Sequence, residues 1–162
     1  MVRRTVFDSV GRFDESPEMR SFEDWEMWLR IAARYEIAYV PEVLARYRVH
    51  SGSVTFGQDP LAVMNSRMMV VERAVAFALD IYAGFRRRAL ANTCVATGGS
   101  LIKRGDLKSA RRAFVQAMTC WPMSGRAYLG WFATLLGQHV TRGLVAAYLW
   151  LRCRGISLKN CR

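Results

Sequence analysis

Apolar residues in the first sixty positions recur first at helical and then at strand spacing. Phe22, Trp25, Trp28, Leu29 and Ala32 fall at i, i+3, i+6, i+7 and i+10. That spacing predicts a helix from about Glu23 to Arg34 with its bulky groups on one packed face. Ser21, followed three residues later by Asp24, fits a capping box at the helix start. Upstream, Thr5 to Val10 reads as a short helix or turn. It runs into the loop Gly11-Arg12-Phe13-Asp14-Glu15, where Gly11 supplies a turn conformation. Downstream, Ile37-Ala38-Tyr39-Val40-Pro41 is a strand candidate whose Pro sits at the end, where no ladder donor is missed. Leu44 to His50 alternates apolar and polar positions as a second extended piece and enters the loop Ser51-Gly52-Ser53.

Beyond Pro60 the period is helical throughout. Leu61 to Ala83 carries Met64, Met68, Val71, Val75, Ala78 and Leu79 on a broad apolar face, and Gly84 is the expected stop. Arg86-Arg87-Arg88 then opens a further helix, as an anion-facing cluster or as a solvated edge. From Ala91 to Ser124, Gly98, Ala110, Phe114, Ala117 and Pro122 stand where a tetratricopeptide-type hairpin has its landmarks, with Gly105-Asp106 at the turn. Such a hairpin cannot bury its own face and needs helical neighbours. The apolar segments Ala127 to Gly137 and Gly143 to Leu151 fit two readings. One is a buried helical hairpin; the other is a membrane-surface element bearing Trp131 and Trp150 beside Arg142, Arg152 and Arg154. The fold class expected from the pattern is α+β, mostly helical, with residues 1–58 as one region and 59–162 as a helical extension.

Composition narrows the field. With 52% hydrophobic residues among 162, the chain has the apolar content for a core, which excludes wholesale disorder. No apolar run reaches the ~18 residues of a membrane span, and the opening residues do not form a signal-peptide core. The expected location is the cytoplasm or the inner face of the membrane. Charge divides sharply: residues 1–60 carry 8 Arg against 10 carboxylates, whereas residues 61–162 carry 16 basic against 3 acidic side chains. That imbalance suits an anionic partner, whether nucleic acid, a membrane surface or a phosphorylated substrate. Nucleic acid is not expected, because no recognisable reading motif accompanies the charge. Cys94, Cys120, Cys153 and Cys161 never make a Cys-x-x-Cys pair, so they read as reduced thiols rather than as a zinc site or a disulfide framework.

Four segments stand in a telling order. They are Val10-Gly11-Arg12-Phe13-Asp14-Glu15, Glu23-Asp24-Trp25-Glu26-Met27-Trp28-Leu29-Arg30, Tyr39-Val40-Pro41-Glu42, and Tyr47-Arg48-Val49-His50-Ser51-Gly52-Ser53. Together they resemble the acceptor-side half of family 2 glycosyltransferases, over roughly residues 2 to 56. The resemblance implies part of a GT-A fold, a nucleotide-sugar donor, a glycan or lipid-linked acceptor of the cell envelope, and transfer with inversion. Asp24 takes the place of the general base, which a single displacement needs on the acceptor side to remove the hydroxyl proton. Read without the family, Asp24 is only the acidic member of a capping box. Glu23, Trp25 and Arg30 are the expected acceptor-side support. Arg48 and His50 are candidates for the donor diphosphate, and His50 is the candidate ligand of a divalent metal, Mg or Mn, that the family implies. A solvated loop histidine is the plainer reading of His50.

The family's donor-binding half and its Asp-x-Asp segment have no counterpart here, since no Asp-x-Asp occurs in the 162 residues. The chain alone is therefore expected not to catalyse transfer, for want of anything to stabilise the leaving diphosphate. Two functions follow. One is an inverting glycosyltransferase of which this chain is the acceptor-side end. The other is a non-catalytic helical module that binds a protein partner and carries a glycosyltransferase remnant.

Overall fold

The computed structural model describes residues 2–19, 21–46, 48, 58–137, 140 and 143. Among these it is mostly helical, with six α-helices and no strand. The chain divides into two compact units, Met1–Arg86 and Arg87–Arg162. The packing boundary therefore lies well past the change of composition near Asp59.

The first unit holds α1 (Arg4–Val10), a 3-10 turn (Pro17–Met19), α2 (Glu23–Ala32), α3 (Pro60–Phe77) and the start of α4 (Leu79–Arg104). Val6 and Val10 of α1 meet Met27 and Ile31 of α2, with Val2 and Phe7 packed against them. The α3 helix packs on α2 and on the 3-10 turn, where Met19 is fully buried. Ser66 Oγ donates to the Glu18 carbonyl at 2.8 Å, and the Tyr82 hydroxyl donates to the Leu29 carbonyl at 2.8 Å. Asp59 caps α3 by accepting from the N–H groups of Leu61 and Ala62, and Pro60 occupies the first turn, where its missing N–H costs nothing.

Three expectations need correction here. The face of α2 bearing Trp25 and Trp28 is not the packed one, for these rings are 37% and 45% exposed while Met27 and Ile31 are buried. The buried seam runs beside the ion pair of Glu26 and Arg30, whose mutual neutralisation lets two nominally polar positions go inside. Second, Ile37–Pro41 and Leu44–Arg46 form no strand, because a strand needs a ladder partner and the described residues offer none. Tyr39 and Val43 are 87% and 94% exposed. Third, the helix does not stop at Gly84. The break is one residue, Ala78 (φ −145°, ψ 75°), after which α4 runs straight through Gly84, where no neighbouring atom lies within reach of an added Cβ.

The second unit contains the rest of α4, α5 (Leu107–Cys120) and α6 (Gly125–Ala133). Gly105 turns the chain between α4 and α5, and Asp106 caps α5 by accepting from the Ser109 N–H at 2.9 Å. Ala110, Phe114 and Ala117 are buried along α5. The Phe114 ring lies against two glycines. A Cβ at Gly98 would sit 2.6 Å from its Cζ, and one at Gly130 would sit closer still, so only glycine admits the ring from both α4 and α6. Among the described residues no helix is long and apolar enough to cross a membrane.

Candidate functional site

The first turn of α2 carries Glu23, Asp24 and Glu26, three carboxylates where the helix dipole favours negative charge. Its N-cap is Phe22, without a side-chain cap, so the expected capping box of Ser21 and Asp24 is not formed. The chain enters the helix through Ser21 at φ 75°, and the Phe22 N–H is already bonded to the Met19 carbonyl at 2.8 Å. That path carries the Ser21 hydroxyl away from the helix end, where it accepts instead from Gln58 Nε2 at 3.1 Å.

Freed of a capping role with Ser21, Asp24 is exposed, and one carboxylate oxygen accepts the Trp25 N–H at 2.6 Å. Its other oxygen has the lone pairs a proton acceptor needs. Glu23 differs, with Oε2 buried and without a protein hydrogen-bond partner. Trp25 and Trp28 present part of each ring to solvent on the turns that follow.

Arg30 is engaged with its own chain. Nε and one terminal nitrogen bind the two oxygens of Glu26 at 2.8 Å each, the bidentate arrangement a guanidinium favours. The remaining bonds go to the Arg12 carbonyl at 2.7 Å and to the Val10 carbonyl. Two of the motif segments are joined in this way, the Val10–Glu15 loop being clamped onto α2. Gly11 makes the approach possible, since it sits at φ 83° and an added Cβ would lie 3.2 Å from the Arg30 guanidinium. An open cavity of about 490 Å³ lies at this junction, lined by Arg12, Asp14, Glu26, Arg30, Arg73 and Phe77 among others. Arg73 pairs with Asp14 across it. Asp24 is not among the lining residues.

The sequence missed Glu26 and Arg73. The Glu26 partnership was readable, because Glu four residues before Arg is the favoured orientation for an ion pair along a helix. Arg73 gave no such signal, being brought to the loop by the packing of α3. Arg48 is exposed and outside regular structure, and His50 lies outside the described residues. Among the described residues no group of three or more His, Cys, Asp or Glu is arranged to hold a metal ion.

The Arg86-Arg87-Arg88 cluster is divided in its contacts. Arg86 makes a two-pronged bond to Glu72 at 2.6 and 2.7 Å, and Arg87 Nε donates to the Cys120 carbonyl at 3.1 Å. In the second unit a cationic cavity of about 540 Å³ runs along α5, lined by Lys108, Arg111, Arg112, Val115, Gln116 and Thr119. Arg111 is partly held there by Thr134, to whose hydroxyl and carbonyl it donates at 3.2 Å.

No family model, curated protein or solved structure matches the chain. The likeness to family 2 glycosyltransferases rests on the four sequence motifs alone.

Proposed function

We propose that this chain is the acceptor-side part of an inverting family 2 glycosyltransferase, with Asp24 as the general base that removes the acceptor's hydroxyl proton. The observation that carries the reading is the exposed Asp24 carboxylate in the first turn of α2, followed by two half-exposed tryptophans. A sugar acceptor is bound by just such a pairing, a carboxylate for the hydroxyl and an aromatic face for the C–H side of the ring. The bonds from Arg30 to the Val10 and Arg12 carbonyls support it by anchoring α2, the helix that carries Asp24, to the Val10–Glu15 loop. Arg48 and His50 serve the donor diphosphate in this proposal. The strands of a GT-A sheet, the nucleotide-sugar pocket and a divalent metal belong to a donor-binding half acting with this chain.

The test is transfer from a nucleotide sugar by the gene product isolated from its own cell, with and without Asp24→Asn. Loss of a general base costs about 10² to 10⁴ in rate. The Asn variant should fall by that factor while its circular dichroism and melting point stay unchanged. Transfer at the parental rate removes Asp24 from the chemistry.

A second reading, an interaction module with a glycosyltransferase remnant, is favoured by the second unit. Its hairpin around Phe114 is well packed, and its α5 surface is a cationic groove. In this reading the hairpin is of tetratricopeptide type, and its partner is a protein or an anionic membrane surface.

A further inference from the structure

Helix α6 buries its small residues and exposes its large ones. Ala127 is fully buried and Gly130 lies against the Phe114 ring, which sets the side that packs on α5. The opposite side carries Tyr128, Leu129, Phe132, Leu135 and Leu136, at i, i+1, i+4, i+7 and i+8. The last two stay on the helical path because their N–H groups donate to the Phe132 and Ala133 carbonyls at 2.9 and 3.1 Å. The five therefore form one stripe, and each is 46–74% exposed. Beside it lies the cationic cavity of α5, where Lys108, Arg111 and Arg112 are all exposed. Arg111 joins the two features, since it is bonded to Thr134, the neighbour of Leu135. The charge around them has one sign: residues 107–162 hold nine Lys and Arg and no Asp or Glu.

We propose that α5 and α6 together dock on an anionic lipid bilayer, the stripe of α6 entering the boundary between headgroups and acyl chains while the α5 cations hold the lipid headgroups. The inference rests on the second reading above, whose partner it commits to a membrane, and it is independent of any role for Asp24. Charge complementarity and the apolar stripe select the occupant jointly. A nucleic acid would meet the cations but leave Leu129, Phe132 and Leu136 without a partner. A protein interface surrounds its apolar centre with a polar rim, and a region without carboxylates supplies only one sign of charge to it. A bilayer takes both features at once, as it does from a surface-lying helix with a large apolar face and basic residues at its flank. The long stems of Lys108 and Arg112 let their charges stay at headgroup level beside apolar side chains that lie deeper. With nine residues, α6 is far short of the ~20 needed to span the hydrocarbon, so the docking is peripheral.

The experiment is cosedimentation of the full 162-residue chain with vesicles of phosphatidylserine mixed with phosphatidylcholine, and with vesicles of phosphatidylcholine alone. The chain should sediment with the anionic vesicles and stay in solution with the neutral ones. Lys108→Ala with Arg112→Ala should weaken binding about 30-fold, at about fivefold for each charge removed near the surface. Leu129→Gln with Phe132→Gln should weaken it by about tenfold or more, since two apolar side chains no longer enter the bilayer. All four side chains are exposed, so circular dichroism and melting should match the parent in both variants. Equal binding to both kinds of vesicle overturns the proposal, as does parental binding by either variant, which would place the contact elsewhere on the chain. Retention on immobilised poly-glutamate without sedimentation on vesicles also overturns the bilayer, but leaves the interaction module standing with an acidic protein as its partner. Binding to neither removes the α5 groove as a docking surface altogether.

Discussion

A methyl group at Gly130 or at Gly98 would fall inside the van der Waals envelope of the Phe114 ring, more deeply at Gly130. Gly130→Ala should therefore destabilise the second unit by about 1–3 kcal/mol, the usual cost of overpacking. Phe114→Ala should cost about 3–5 kcal/mol through the cavity it leaves. Denaturant titration checks both, and the double change Gly130→Ala with Phe114→Leu should recover part of the loss, as overlapping atoms predict and independent defects do not. Arg30 is the corresponding residue of the first unit. Its side chain is 13% exposed and that of Glu26 only 7%. Arg30→Ala strands the Glu26 carboxylate in the interior and should cost about 3–5 kcal/mol. Arg30→Met with Glu26→Leu, which removes both charges, should cost less. At this scale the sequence was informative about Phe114, because small residues and an aromatic at repeat positions signal close helix crossing. It was uninformative about the Arg30 clamp, whose bonds to Val10 and Arg12 are to backbone carbonyls that any residue could supply.

Helix α2 shows why periodicity finds an element more readily than its buried face. Its apolar positions outnumber what a narrow seam can bury, and the pattern alone does not say which stripe is covered. The tertiary structure buries Met27 and Ile31 and leaves Trp25 and Trp28 partly in water. If those rings are the wall of an acceptor cleft, Trp28→Ala should raise KM for the acceptor with a smaller change in kcat, and melting should shift little. A fall in stability with KM unchanged would make the ring a packing residue only. The break at Ala78 was illegible because Gly84 is the stronger breaker by propensity, yet an exposed helix tolerates glycine at a cost of only about 1 kcal/mol. Helix α5 offers a pH test of its cap. Hydrogen bonds to Ser109 hold the Asp106 carboxyl below its ordinary 3.8. A depressed carboxyl contributes stability above its unfolded pKa and loses it as pH falls through the folded one. The gap in melting temperature between the parent and Asp106→Ala should therefore be full at neutral pH and shrink below about pH 4. A gap that stays constant or widens in acid contradicts the cap.

The whole chain joins a slightly acidic first third to a strongly basic remainder, for a net charge of +11. Helices were legible in both parts, but the division into compact units was not, since α3 belongs by composition to the basic region and by packing to the first unit. If the basic groove on α5 faces an anionic membrane, binding to acidic vesicles should weaken steeply between about 0.1 and 1 M salt, as the screening length falls from about 10 to 3 Å. Insensitivity to salt would point to apolar insertion. The proposed site spans two regimes of legibility. Asp24 and its tryptophans were readable because they are contiguous in sequence, whereas the cavity beside Arg30 draws on α3 and depended on the fold.

The central claim is that Asp24 removes a proton from a sugar acceptor, and the most direct measurement of it is the transfer rate of the native gene product and its Asp24→Asn variant at saturating acceptor. The variant should be slower by about 10² or more in kcat, with its KM for the acceptor little changed. An Asn variant with the parental kcat would contradict the claim.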